Sequence, residues 1–170
     1  MLEKRITVPF ADVSDINDLK AGDMVLLSGT IYTARDAAHK RMAEMLAQGE
    51  TPPFDFDGNV VFYAGPCPAK PGQAIGSVGP TTAGRMDSYA PMLIQSGLRF
   101  MIGKGSRSKE VHTALEQHGG IYFITIAGAA AYIARCVKSS EVIAFEDLGT
   151  EAIRKLEVFE MPVIVDTIHA

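Results

Sequence analysis

Polar and apolar positions alternate at two different periods along this chain, and the period switches repeatedly. Runs such as Asn59-Val60-Val61-Phe62-Tyr63-Ala64 and Ile121-Tyr122-Phe123-Ile124-Thr125-Ile126 are apolar but for Asn59 and Thr125, as expected of strands buried on both faces. Between them lie segments with apolar residues at helical spacing. The clearest is Thr33 to Leu46, where Ala38, Met42, Met45 and Leu46 share one face and Thr33 is placed to cap.

In chain order, Arg5 to Phe10 reads as an edge strand, because Pro9 cannot donate to a ladder. Asp12 to Gly22 reads as a turn with one helical twist. Asp23 to Tyr32 is a strand, with Gly29 a bulge or close-approach point. A polar loop, Gly49 to Asp57, leads to the buried strand at 59–64. Gly65-Pro66-Cys67-Pro68-Ala69-Lys70-Pro71-Gly72 is a stiff loop, suited to recognition or to plain connection. Met86 to Gly97 and Arg107 to His118 read as helices closed by glycine, with a strand at Leu98 to Ile102 between them. A small apolar helix is expected over Gly128 to Cys136, a strand over Glu141 to Glu146, and a brief helix over Gly149 to Arg154. Two closing strands, Leu156 to Met161 and Pro162 to Asp166, complete the pattern. Strands alternating with helices, with extra strands near the ends, predict an α/β fold with a mixed sheet and flanking helices.

Length and charge narrow the function classes. The 170 residues fit one domain over 1–170, and 47% apolar with 21% charged residues describes a globular chain. The net charge of −4 leaves no overall footprint for nucleic acid. The N-terminus carries no apolar signal core. The longest apolar run, Ile121 to Ala134, is too short for a bilayer. A cytoplasmic chain, or the mature part of an organelle protein, is expected. Cys67 and Cys136 stand far apart, so neither a disulfide framework nor a metal-ligand set is expected.

Candidate chemistry concentrates where strands end. Gly79-Pro80-Thr81-Thr82-Ala83-Gly84-Arg85-Met86-Asp87 gathers hydroxyls, a guanidinium and free backbone N–H groups in one turn. Such a turn can hold a small anion, or can merely cap a helix through Thr82 or Asp87. Arg35 lies in the first helical turn, where the helix dipole disfavours a cation, and Gly103-Lys104-Gly105-Ser106 places a second glycine-flanked cation after a strand. Neither glycine pattern fits a nucleotide P-loop or a dinucleotide fingerprint. If strand ends gather Arg35, Arg85 and Lys104, the acidic chain carries a local cationic pocket, and two planar forks can clamp a dicarboxylate. Thr81 would lie among these cations, either moving a proton or only hydrogen-bonding. His39 would sit one turn after Arg35, as a supporting donor in preference to an acid–base partner.

Several of these motifs, in one order, resemble the C-terminal domain of class I fumarate hydratases. The resemblance is carried by Ser28 to Arg41, Gly65-Pro66-Cys67-Pro68, Gly79 to Asp87, Ile102-Gly103-Lys104-Gly105 and Glu146-Asp147-Leu148-Gly149-Thr150-Glu151-Ala152. It covers nearly the whole chain. The same domain forms the β subunit of two-subunit fumarases and of L(+)-tartrate dehydratase. The resemblance implies a swivelling β/β/α domain and a hydro-lyase converting fumarate to L-malate. It implies a [4Fe-4S] cluster carried by a partner α subunit, and none bound by this chain. It implies substrate contacts at Arg35, Arg85 and Lys104, proton transfer at Thr81 with Thr82 beside it, and an acidic partner residue in the α part. Where the family often has serine, this chain has Ala83-Gly84. Alternatives within reach of the same residues are a tartrate or related 2-hydroxy-dicarboxylate dehydratase subunit, and an anion-binding or partner-docking module without chemistry.

Overall fold

A computed structural model describes residues 3–126 and 128–169. Residues 1, 2 and 170, at the ends of the expected 1–170 unit, and residue 127, inside the apolar run, lie outside the described set. Among the described residues lie seven strands and four α-helices: β1 (Lys4–Val8), β2 (Met24–Thr33), α1 (Asp36–Ala47), β3 (Val60–Phe62), α2 (Ala90–Gln95), β4 (Phe100–Gly103), α3 (Lys109–His118), β5 (Gly120–Ile124), α4 (Ala130–Cys136), β6 (Val137–Ala144) and β7 (Ile153–His169). Short 3-10 turns occupy Val13–Ile16, Ala83–Met86 and Glu146–Glu151. No helix among the described residues is long and apolar enough to cross a membrane.

The sheet is mixed, as its sequence pattern predicts. β1 to β5 pair in parallel in the order β1-β2-β3-β4-β5, and β7 runs antiparallel to β2, β5 and β6. Because β7 pairs with both β2 and β5, the ladder runs full circle through β2, β3, β4, β5 and β7. β1 is an edge strand, as expected, pairing among the described residues with β2 alone, but it spans Lys4–Val8 and ends before Pro9. Gly29 is a close-approach point: its φ is +118°, and a Cβ there would sit 2.0 Å from the Val8 carbonyl oxygen.

Alternation along the parallel strands feeds two cores. Val60, Phe62, Phe100, Ile102, Ile121 and Phe123 point into the space enclosed by the strands, where they meet Leu27, Leu156 and Val163. Their neighbours Val61, Tyr63, Met101 and Tyr122 point outward, against Met42 of α1, Leu93 and Ile94 of α2 and Leu115 of α3. Burial on both faces explains why these strands read as unbroken apolar runs.

Several boundaries differ from the sequence expectation for identifiable reasons. The two closing strands are one, β7, because Glu160 adopts φ 50° and inserts a bulge. Opposite it, three residues of β2 (Leu27 to Gly29) face four of β7 (Val158 to Met161). Inward-facing residues therefore change from Leu156 and Val158 to Met161, Val163 and Val165, which mimics two strands in sequence. The helix expected from Met86 begins only at Ala90, since Pro91 is tolerated in a first turn but not in a helix interior. The brief helix at 149–154 is instead the 3-10 segment Glu146–Glu151, and β6 starts earlier than expected, at Val137.

Candidate functional site

Parallel strands end together, so the residues just beyond β2, β3 and β4 share one edge. Arg35 lies two residues past β2, in extended conformation, and serves as the N-cap position of α1. Ala34 N–H donates to the Phe62 carbonyl at the end of β3 (3.0 Å), which fixes this turn against its neighbour. Thr33, expected to cap, does not: it ends β2, and its hydroxyl oxygen accepts from Arg154 N–H (3.2 Å).

The threonine turn docks on the same edge. Thr81 N–H donates to the Tyr63 carbonyl (2.6 Å), immediately past β3. Lys104 N–H donates to the Thr81 carbonyl (3.3 Å), and Ala83 N–H donates to the Lys104 carbonyl (2.8 Å). Thr82 and Lys104 thus form an isolated parallel bridge just beyond β4. Thr82 precedes the Ala83–Met86 turn without capping it through its side chain. Asp87 does not cap either, because its carboxylate accepts from Arg107 Nε (2.8 Å) and Ser108 N–H (2.6 Å).

Ion pairs link the two arginine-bearing turns. Arg85 Nη2 donates to Asp36 Oδ2, so Arg85 reaches the residue beside Arg35. Arg35 Nε lies 3.9 Å from Glu151 Oε1. The Arg35 stem rests on Gly65: a Cβ there would sit 2.8 Å from Arg35 Cδ, so only glycine leaves this path open. Arg35 Nε and Asp36 Oδ1 are buried without hydrogen-bond partners among the described residues, which leaves polar capacity unused on this edge. Thr81, Arg35 and Lys104 are half-buried, and Arg85 and Thr82 are exposed. The backbone positions of Arg35, Thr81, Thr82, Arg85 and Lys104 therefore meet at one sheet edge.

His39 sits behind this edge and is buried. Its Nδ1 lies 2.9 Å from the Arg35 carbonyl, which can only accept, so Nδ1 carries the proton. Burial lowers its pKa from 6.5 to about 4, with the nearby Arg107 charge pushing the same way and the bond to the Arg35 carbonyl opposing. The imidazole is neutral at physiological pH, which suits a supporting donor and not an acid.

Sequence reasoning missed a buried layer below the edge. Arg107 was expected to open a helix; instead it precedes α3 by two residues, and Ser108 provides the cap, accepting from Val111 N–H (3.3 Å). The Arg107 guanidinium lies over the Tyr63 and Tyr122 rings, 5.1 and 4.9 Å from their centres. Burial pushes both phenol pKa values up. The signal was available: Arg107, like Arg35, is a cation at the start of a helix, where the dipole offers it nothing.

The chain's thiols do not fit an iron–sulfur cluster. Cys67 is exposed, and Cys136 is buried with its thiol against the Tyr132 and Glu160 carbonyls. Two separate thiols fall short of the Cys thiolates that hold a [4Fe-4S] cluster, and among the described residues no three His, Cys, Asp or Glu side chains form a metal-sized cluster.

A mixed α/β sheet with arginines, a lysine and threonines along the C-terminal edge of its parallel strands defines a candidate anion-binding domain. The family model described as Fumarase C-terminus matches residues 3–168, and the chain belongs to that family. It is 41% identical over 152 residues to "Fumarate hydratase 2" of Leishmania major, covering 88% of this chain and 27% of that protein. It is 44% identical over 141 residues to "Fumarate hydratase class I, aerobic" of Escherichia coli K12, covering 82% and 26%. It is 38% identical over 149 residues to the "Putative L(+)-tartrate dehydratase subunit beta" of Methanocaldococcus jannaschii, covering 85% and 76%. The chain spans about a quarter of the first two proteins (27% and 26%) and about three quarters (76%) of the third.

Proposed function

We propose that this chain is the β subunit of a class I hydro-lyase that interconverts fumarate and L-malate. The observation that carries the reading is the meeting of Arg35, Thr81, Arg85 and Lys104 at one sheet edge, joined by the Lys104–Thr81 and Ala83–Lys104 backbone bonds and the Arg85–Asp36 pair. A dicarboxylate carries two charges that planar guanidinium forks match bidentately, while Lys104 adds a point charge. On an open edge each such contact is worth on the order of 1–4 kcal/mol, and covering the edge raises it.

In the dehydration direction, a proton leaves C3 of malate, the C2–O bond breaks, and water departs with fumarate. Thr81, flanked by cations that favour its alkoxide, takes the C3 proton, and Thr82 hydrogen-bonds the substrate. His39 holds the Arg35 carbonyl and so the start of α1. On this reading the acid that protonates the departing hydroxyl belongs to the partner α subunit, as does the iron–sulfur cluster. The chain alone is then inactive.

The proposal is tested by assaying the chain with and without the α subunit. Arg85→Ala in the complex is expected to cost about 2–5 kcal/mol in kcat/KM, as truncating a desolvated charge partner does. Turnover by the chain alone, or an unchanged kcat/KM in that variant, contradicts it. Thr81→Val separates proton transfer, which lowers kcat, from binding, which raises KM only. A tartrate dehydratase subunit is the second reading, favoured by the 76% coverage of the Methanocaldococcus protein; malate and tartrate assayed side by side decide.

A further inference from the structure

Below the cationic edge runs a row of stacked groups, each tied to a different turn above it. His39 meets Tyr63 edge-on, 5.0 Å between ring centres at 77°, and holds the Arg35 carbonyl. The Tyr63 carbonyl accepts from Thr81. Arg107 lies over Tyr63 and Tyr122, and the Tyr122 hydroxyl donates to the Gly105 carbonyl (2.7 Å), one residue past Lys104. The Arg107 side chain has no solvent exposure. It is bonded through Nε to Asp87 and weakly through Nη1 to Met101 Sδ (3.5 Å), while Nη2 is buried without a partner among the described residues.

A guanidinium buried with one carboxylate and one unsatisfied nitrogen adds little net stability, because desolvation offsets the attraction. What the pair does is geometric. Asp87 is two residues after Arg85, and Arg107 is three after Lys104. Their bond bridges the two turns that carry those cations. Asp87 also takes Ser108 N–H, so both carboxylate oxygens face the Lys104 side.

We propose that Arg107 is a positioning residue: through Asp87 and the faces of Tyr63 and Tyr122 it sets the spacing between the Thr81–Arg85 turn and the Lys104 loop, and so the length of dicarboxylate the edge accepts. The inference rests on the dicarboxylate reading above. Misplacement by an ångström in such a site costs up to about a hundredfold, so the brace acts on selectivity even without touching ligand.

The test uses the chain assembled with its α subunit and two competitive inhibitors of different length, malonate and succinate. Arg107→Lys keeps the charge but loses the planar stack and the Nε–Asp87 bond. It is expected to change the malonate-to-succinate Ki ratio by at least about threefold and to raise KM more than it lowers kcat. Tyr122→Phe, which removes one hydroxyl, is expected to shift the ratio the same way by less. A Ki ratio does not depend on the fraction of folded enzyme, so a purely structural role leaves it fixed. An unchanged ratio in both variants, while Arg85→Ala weakens both inhibitors, overturns the positioning role and leaves the clamp standing. Unchanged Ki values in Arg85→Ala overturn the clamp and the brace together. If Arg107→Lys fails to assemble, Tyr122→Phe decides.

Discussion

The two faces of the central parallel strands are equally buried and differently built. Inward, Val60, Phe62, Phe100, Ile102, Ile121 and Phe123 enter a core whose one titratable side chain, among the described residues, is the Cys136 thiol. Outward, the same strands present Tyr63 and Tyr122, against which His39 and Arg107 are packed. A buried polar group costs stability unless paired, so polar chemistry is tolerable only where partners are at hand. The helix-facing layer has such partners because it lies under the turns that carry Arg35, Thr81, Arg85 and Lys104. One face holds the fold; the other also holds the geometry of the edge.

The largest expected contrast between the faces is in pH dependence. The pKa of His39 is about 4 in the folded chain against 6.5 ordinarily. The unfolded chain therefore binds more protons in that window, and stability falls as pH falls. The contribution is complete above about pH 6.5 and is lost as pH drops towards 4, on the order of 3 kcal/mol in all. Urea midpoints at pH 7 and pH 4.5 check it: His39→Leu should show a shallower pH slope than the parent. Equal slopes would mean that His39 takes up protons without cost to the fold.

A smaller effect is expected at Gly65. In Gly65→Ala the new methyl would sit 2.8 Å from Arg35 Cδ and 3.1 Å from the Thr150 carbonyl oxygen, so Arg35 must move. KM for the dicarboxylate in the assembled complex should rise by about tenfold, a loss of roughly 1.4 kcal/mol, because the fork is displaced, not removed. Smallest is Ile102→Val in the inward core, expected to lower stability by about 0.5–1.5 kcal/mol through a lost methyl, with KM unchanged. A KM shift in that variant would erase the division of labour between the faces.

Much of this layering is legible in the sequence. Strands buried on both faces announce themselves as apolar runs, and parallel order follows from the alternation with helices. The edge is legible too, because glycine, threonine and cations after apolar runs mark strand ends. The β7 bulge is not, since Glu160 changes the inward parity and hides one long strand as two. The brace is legible only in part: Arg107 stands out as a cation where a helix is expected to start, but its partner Asp87, twenty residues earlier in sequence, does not. Such a pairing is a tertiary event without a local signature.

The central claim is that one sheet edge binds both ends of a dicarboxylate. A crystal structure of the assembled complex with L-malate tests it most directly. The account predicts one malate carboxylate on the Arg35 or Arg85 fork and the other within reach of Lys104, with C3 facing Thr81. Malate bound instead in the cavity of about 480 Å³ lined by Cys67, Lys70, Gln73 and Arg135, with the edge making no contact to it, would contradict the account.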